Sequence, residues 1–183
     1  MEDVDAKAIA GMDMPRRPIN FVPAKAGEIL KLGHITCRVM EDGSRTDNRI
    51  GSAELILPPG TSGPPAHWHE MHDETFLTLA GTIRFHGPDN THTDAGPGDY
   101  VTVPTRAPHT FSNPFDVEAR TFITCTPAFY IDYFKMLADA SKNDIKMSKE
   151  KNIEIMARFA TVPARPMLEE MAKEEAKKKE NEA

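Results

Sequence analysis

Between positions 19 and 126, the chain is a succession of short β-rich runs separated by clusters of Gly, Pro, Asn and Asp. Short strands at this spacing, joined by tight turns, are typical of a β-sandwich or a β-barrel. We therefore predict an all-β fold for this part of the chain. The predicted strands are residues 35–40, 50–57, 66–69, 75–79, 82–86, 100–103, 109–112 and 119–125.

Two of these strands bring histidines into a pattern suited to metal binding. The first contains His67-Trp68-His69 and is followed by Glu74, and His109 begins the second. Alternate residues of a strand point to the same face, about 6.6 Å apart, so His67 and His69 can reach toward one point. Glu74 and His109 are candidates to complete a four-ligand site for a divalent transition metal.

The full arrangement resembles the two sequence motifs of the cupin superfamily, over roughly residues 48–126. The residues that carry the resemblance are His67, His69, Glu74 and Gly81 in the first motif, and Gly98, Pro104, His109 and Asn113 in the second. The resemblance implies a double-stranded β-helix, that is, a jelly-roll barrel, with C-terminal helices. It also implies that the three histidines and the glutamate are the metal ligands. Single-domain cupins similar to quercetin dioxygenases share this layout.

Two positions depart from the cupin motifs. Cupins carry a glycine shortly before the first histidine, at a spacing that neither Gly60 nor Gly63 matches. They also carry a glycine shortly after the proline of the second motif, where this chain has Arg106. Because arginine is strained at the positive φ that glycine tolerates, we expect the turn at Arg106 to take another shape.

The regions outside the barrel differ from it in composition. Residues 1–18 are polar and proline-containing and are predicted to form a flexible arm, followed by the barrel over 19–126. Helices are predicted over 127–163, the first spanning 130–140, where they either cover a barrel mouth as a lid or shield the core. The second helix is expected to start at a Ser148 cap, to present Ile153, Met156, Phe159 and Ala160, and to end at Pro163. Residues 164–183 are predicted to be a charged tail that forms a solvated, frayed helix.

Composition narrows the classes of partner. The chain has 183 residues, with 28 acidic and 22 basic side chains and a net charge of -6. No clustered basic segment indicates nucleic acid, and no apolar run approaches the ~20 residues that span a bilayer. The acidic N-terminus is unlike a secretory signal, and Cys37 and Cys125 lie in apolar runs as expected for buried thiols. We expect a cytoplasmic protein with a small-molecule substrate, forming a homodimer by strand or arm exchange.

The predicted ligand set leaves the metal and the reaction open. Imidazole and carboxylate ligands suit Fe, Mn, Ni, Co, Cu or Zn, and an open coordination position is typical of catalytic sites. The resemblance to quercetinases implies a dioxygenase that uses O₂ to cleave a flavonol-like, polyketide-like or other enolic compound, with Glu74 as ligand and base. One alternative is a non-redox lyase, isomerase, cyclase or decarboxylase, in which Glu74 or His72 moves the proton. Another is a non-catalytic small-molecule-binding cupin.

Three other side chains near the motifs have two interpretations each. His72 lies in the turn before Glu74 and is either solvent-exposed or a proton shuttle at the rim of the site. Arg106 either binds an anionic substrate or is a surface turn residue. Trp68 alternates with two inward-facing histidines, so it is expected to point to the other face of the strand.

Strand alternation also predicts which side chains face the barrel interior. Phe76 and Thr78 have the parity of Glu74, and Phe111 has the parity of His109. These residues are predicted to line an apolar substrate pocket. The same pattern fits an ordinary hydrophobic core.

Overall fold

The computed structural model describes residues 10–143 and 148–181, which form a β-barrel followed by three helices. The predicted all-β fold is confirmed, and each predicted strand is found to within two residues at either end. Four short strands were not predicted: Glu28–Leu32, Thr61–Ser62, His92–Ala95 and Thr161–Pro163. The strands are β1 Glu28–Leu32, β2 Ile35–Asp42, β3 Gly51–Leu57, β4 Thr61–Ser62, β5 His67–His69, β6 Asp73–Ala80, β7 Ile83–His86, β8 His92–Ala95, β9 Tyr100–Val103, β10 Thr110–Asn113, β11 Ala119–Thr126 and β12 Thr161–Pro163. The helices are α1 Tyr130–Lys142, α2 Lys149–Arg158 and α3 Arg165–Asn181.

The strands form an antiparallel jelly roll. One sheet has six strands in the order β1-β2-β3-β11-β6-β9, and a second has four in the order β4-β10-β7-β8. A two-stranded sheet pairs β12 with β5. Strands that are distant in sequence, such as β3 and β11, are neighbours, which ties the two ends of the barrel sequence together.

The core lies between the two larger sheets and follows the alternation expected of half-buried strands. On β6, Phe76 and Thr78 are buried while Leu79 on the opposite face is exposed. The Phe76 ring lies 5.1 Å from Phe85 and 5.6 Å from Phe111, centroid to centroid, and so joins the two sheets. Such aromatic contacts add to the free energy of burying apolar area.

Asn113 at the end of β10 fixes the loops beside it. Its buried side-chain amide donates to the carbonyl oxygens of Leu57, Pro58 and Val117 at 2.9, 3.1 and 2.8 Å. Its Oδ1 accepts from the backbone N–H of Phe115 at 3.1 Å. Since buried carbonyl groups are costly to leave unpaired, this one side chain stabilises two segments at once, residues 57–58 and 115–117.

The two helices after the barrel are confirmed, but their ends differ from the prediction. Ser148 caps α2 as predicted, with its hydroxyl accepting from the Lys151 N–H at 3.2 Å. The apolar face of α2 is centred on Ile155 and Met156, which are both buried. The helix ends at Arg158 and not at Pro163. Ala160 adopts a left-handed φ of 49°, which stops the helix and lets the following residues join β5 as β12.

The charged tail is helical, but its first turns are not solvated as predicted. Met167 is buried in a small cluster with Ala66 and Ala164, and Trp68, Leu168 and Met171 pack against this cluster. The prediction that Trp68 faces away from the histidines is therefore confirmed. None of the helices within residues 10–143 and 148–181 has the length and hydropathy needed to cross a membrane.

The N-terminal arm is described from residue 10 onward, and residues 1–9 lie outside the described range. Residues 10–20 are exposed and contain no strand. One ion pair joins this segment to the barrel, between Arg17 Nη1 and Asp47 Oδ2 at 3.0 Å, and both side chains are exposed. Exposed ion pairs of this kind contribute little to stability.

Candidate metal centre

Three elements bring the predicted ligands together inside the barrel. His67 and His69 lie on β5, Glu74 lies on β6, and His109 immediately precedes β10. The backbones of His67 and His109 exchange two hydrogen bonds, at 3.0 and 2.8 Å, which sets the two histidine segments side by side. All four side chains are buried.

The candidate ligand atoms converge on one small volume. Glu74 Oε2 lies 3.4 Å from His69 Nε2 and 3.3 Å from His109 Nε2. The His67 ring lies 4.7 Å from His69 and 4.6 Å from His109, centroid to centroid. One nitrogen from each of the three histidines falls within 4.8 Å of the others. The four side chains could therefore hold a metal ion.

Backbone carbonyls orient two of the imidazoles. His67 Nδ1 lies 2.7 Å from the Pro65 carbonyl oxygen, and His109 Nδ1 lies 3.0 Å from that of Ala107. A carbonyl oxygen only accepts hydrogen bonds, so each Nδ1 carries the proton and each Nε2 keeps a free lone pair. This is the tautomer in which a histidine binds a metal through Nε2.

A threonine from the far end of the chain orients the third imidazole. His69 Nδ1 lies 3.0 Å from Thr161 Oγ1 on β12, and the Thr161 hydroxyl donates to the Phe159 carbonyl at 3.2 Å. Because the hydroxyl proton is used on Phe159, the Thr161 oxygen accepts from His69. His69 Nε2 is thus also left with a lone pair.

The donor set fits a cation. Within the described residues, the Nε2 atoms of His69 and His109 are buried and have no hydrogen-bond partner. Each directs a lone pair at the Glu74 carboxylate, an arrangement that is repulsive unless positive charge lies between the atoms. A divalent ion ligated by the histidines and the carboxylate would remove this repulsion.

Burial and mutual proximity set the charge states of the ligands. Burial, together with the neighbouring His109 and His69, lowers the pKa of His67 to about 3. Burial also lowers the pKa of His69. Neutral imidazole and ionised carboxylate are the forms that bind metal.

His72 is neither exposed nor at a rim, so both predicted positions are wrong. Its side chain is buried, and its ring stacks between Tyr130 at 4.1 Å and His69 at 3.9 Å, centroid to centroid. Its Nε2 lies 3.7 Å from Glu74 Oε1. The first turn of α1 folds over the β5–β6 turn and covers it, a long-range contact that the local sequence does not reveal.

The turn at Arg106 has the shape that we expected arginine to avoid. Its φ is 66°, the left-handed value that a glycine would adopt, so the prediction is wrong. The backbone N–H of Arg106 donates to the His69 carbonyl at 2.8 Å, and its Nε donates to Glu70 Oε2 at 2.8 Å. These bonds offset the strain, and the exposed side chain is the surface turn residue of the second interpretation.

A cavity of about 410 Å³ adjoins the ligand cluster and includes His67 and Glu74 in its wall. Phe111 lines the cavity, whereas Phe76 and Thr78 lie in the core and are not among its lining residues. No described lining residue is a lysine or an arginine. Most of the lining residues are apolar or aromatic: Leu32, Ile35, Leu55, Pro64, Pro65, Phe111, Ile123, Tyr130, Tyr133, Phe134, Leu137 and Ala140.

Three residues close to the ligands were not predicted to act there. Cys125 Sγ donates to Glu74 Oε1 at 3.8 Å, and its inward position follows from strand alternation on β11. Tyr130 and Thr161 come from segments after the barrel. No sequence signal connects Thr161 to His69, because their pairing depends on how β12 returns to β5.

The barrel sequence matches a known protein family. Residues 53–125 match the model of the cupin-domain family. The barrel is a cupin domain. Its histidine and glutamate cluster lies inside this matched segment.

Solved structures share the cupin fold at low sequence identity. KdgF from Halomonas sp. is 16% identical, with 59% of this chain and 94% of that chain aligned at a TM-score of 0.52. An RmlC-like cupin from Shewanella frigidimarina is 18% identical; the alignment covers 61% of this chain and 93% of that chain, with a TM-score of 0.50. A sugar phosphate isomerase of the cupin superfamily, from Silicibacter pomeroyi, is 21% identical; the alignment covers 52% of this chain and 60% of that chain, with a TM-score of 0.46. The match thus spans less than two thirds of this last chain. No curated protein matches the sequence.

Proposed function

We propose that this cupin is a metal-dependent enzyme, a dioxygenase that cleaves a small aromatic or enolic compound resembling a flavonol or a polyketide. The observation that carries the proposal is that a cluster suited to a cation forms part of the wall of a largely apolar cavity. A redox-active ion held by His67, His69, Glu74 and His109 would supply a site for O₂ and for a substrate oxygen.

The cavity wall supports an uncharged substrate. Its volume of about 410 Å³ lies within the range of small-molecule sites. An anionic substrate would lose its hydration shell there without a lysine or arginine among the described lining residues to replace it. Leu55, Ile123 and Phe134 would exclude water and pack against an aromatic ring instead.

The chain's own groups support proton transfer at the substrate oxygen. Glu74 lines the cavity, so its carboxylate could accept a proton from the hydroxyl of an enolic substrate bound there. Burial, with a contribution from the nearby Glu74 charge, raises the pKa of Tyr130 well above its usual value, so its hydroxyl stays protonated. Tyr130 thus presents a neutral side chain to the cavity.

The second candidate function is a non-redox lyase, isomerase, cyclase or decarboxylase. The observation that favours it is the buried pair of His72 and Glu74, 3.7 Å apart, in which an imidazole and a carboxylate could share proton transfer. In this reaction the ion would act only as a Lewis acid on a carbonyl or enolate oxygen.

Metal content and oxygen consumption together test the proposal. We expect protein purified without added metal to contain stoichiometric Fe, Mn, Ni, Co or Cu, and to consume O₂ with a member of a panel of flavonols and diketones. The matched control is Glu74→Gln, which should consume none. Bound metal with conversion of a panel compound but no O₂ uptake would favour the non-redox reaction. Protein that cannot be loaded with any of these ions or with Zn would contradict both.

The proposal includes a homodimer. Four large apolar side chains on the N-terminal segment are mostly exposed: Met12, Met14, Ile19 and Phe21. Covering them against a second copy would remove this apolar area from water. Deletion of residues 1–22 should therefore convert a dimer to a monomer in light scattering after size-exclusion chromatography. A full-length monomer, or an unchanged dimer after deletion, would contradict this assembly.

A further inference from the structure

The two carboxylate oxygens of Glu74 lie in different surroundings. Oε2 faces the Nε2 atoms of His69 and His109 at 3.4 and 3.3 Å. Oε1 points to the other side, 3.7 Å from His72 Nε2 and 3.8 Å from Cys125 Sγ. His69 and His109 each carry their ring proton on Nδ1, so the two Nε2 atoms that face Oε2 have free lone pairs. A cation could therefore bind between Oε2 and these nitrogens.

The neighbours of Oε1 are donors. The Cys125 thiol donates to it at 3.8 Å. A carboxylate only accepts, so the tautomer of His72 with its proton on Nε2 is the favourable one beside Glu74. At 3.7 Å the His72 contact is longer than a hydrogen bond and acts through the attraction between the N–H dipole and the carboxylate charge.

Both donors are fixed in place. The His72 ring is held between Tyr130 and His69, with ring planes inclined at 30° and 39°, and the edge of Phe129 closes a third side at 5.4 Å. Cys125 is paired with Glu74 in the register of β11 and β6. Neither group can move away without disrupting packing or strand pairing.

We propose that His72 and Cys125 are positioning residues. They keep Oε1 of Glu74 turned away from the metal, so that Oε2 alone serves as the ligand atom. This inference rests on the proposed metal centre. If both carboxylate oxygens bound the ion, one fewer position would be open to substrate and O₂. His72 and Cys125 therefore keep an open position at the metal and do not themselves contact it.

The visible absorption spectrum of bound Co²⁺ can show whether one or both oxygens of Glu74 bind the metal, because this absorption weakens as the coordination number of Co²⁺ rises. His72→Phe and Cys125→Ala free Oε1, so their Co²⁺ complexes should absorb less strongly and bind Co²⁺ about 10-fold more weakly, as for other losses of groups that orient ligands. The conservative variants His72→Gln and Cys125→Ser keep a donor and should resemble the wild type. His92→Phe, at an exposed strand position, is the surface control.

The outcomes separate this inference from the proposed function. Wild-type protein that takes up no Co²⁺ would contradict the metal centre itself. Stoichiometric uptake, with His72→Phe and Cys125→Ala spectra identical to the wild type, would overturn only the positioning roles. A crystal structure of the metal-loaded wild type tests the same point without any variant. Ligation through Oε2 alone supports the inference, and bidentate ligation or ligation through Oε1 overturns it.

Discussion

Glu74→Ala and His109→Ala should each lose the bound metal. Both side chains are buried, and each supplies a ligand atom within 3.3 Å of the other, so no neighbouring group can take over the vacated position without displacing packed residues. Loss of a ligand should weaken binding by at least the about 10–100-fold that is typical when only a group hydrogen-bonded to a ligand is removed. Metal content after dialysis, with the dissociation constant from competition with a chelator, gives the measurement.

His92→Ala provides the matched control for the ligand variants. His92 lies on the exposed face of β8, outside the cluster, and its loss should leave metal content unchanged. Circular dichroism of each variant would show that the barrel remains folded. Full metal stoichiometry in both Glu74→Ala and His109→Ala would contradict the ligand assignment.

The metal-free protein should lose stability as the pH falls from about 6.5 toward 3. The pKa of His67 is lowered from 6.5 to about 3 on folding, so between these values the unfolded chain binds a proton that the folded chain does not. Stability from this group is complete above 6.5 and is lost on acidification, at up to about 1.4 kcal/mol per pH unit.

Urea unfolding of chelator-treated protein at a series of pH values measures this effect. The wild type should show a free energy of unfolding that declines steadily below pH 6.5, whereas His67→Gln should show a smaller slope in the same interval. The same protonation should release the metal, because imidazole binds metal only when neutral. A wild-type free energy of unfolding that stays constant from pH 6.5 to 4, or a slope unchanged by His67→Gln, would refute the assignment.

The fold and the ligand cluster could be predicted from sequence because both depend on local rules. Alternation on β6 places Glu74, Phe76 and Thr78 on one buried face, and clusters of turn residues mark the strand ends. The spacing of His67 and His69 puts two imidazoles on the same side of one strand. These rules identify inward-facing residues, but they do not separate core from cavity wall, which is why Phe76 and Phe111 differ in role.

The remaining features depend on contacts between distant segments. His72 is buried because Tyr130 of α1 covers it, and His69 is oriented by Thr161 of β12. Arg106 tolerates a left-handed turn because Glu70 and the His69 carbonyl bind it. Neither propensity nor periodicity reports such tertiary partners, and these are the places where the sequence-based expectations failed.

The pairing of β5 with β12 has a consequence for engineering this protein. The strand that carries His67 and His69 has Thr161–Pro163 as its antiparallel neighbour in a two-stranded sheet, although the recognisable family segment ends at residue 125. A fragment cut to that segment would lack the hydroxyl that fixes the His69 tautomer. The smallest transplantable unit with a competent centre therefore reaches to residue 163, and any fusion or permutation should leave that stretch of chain intact.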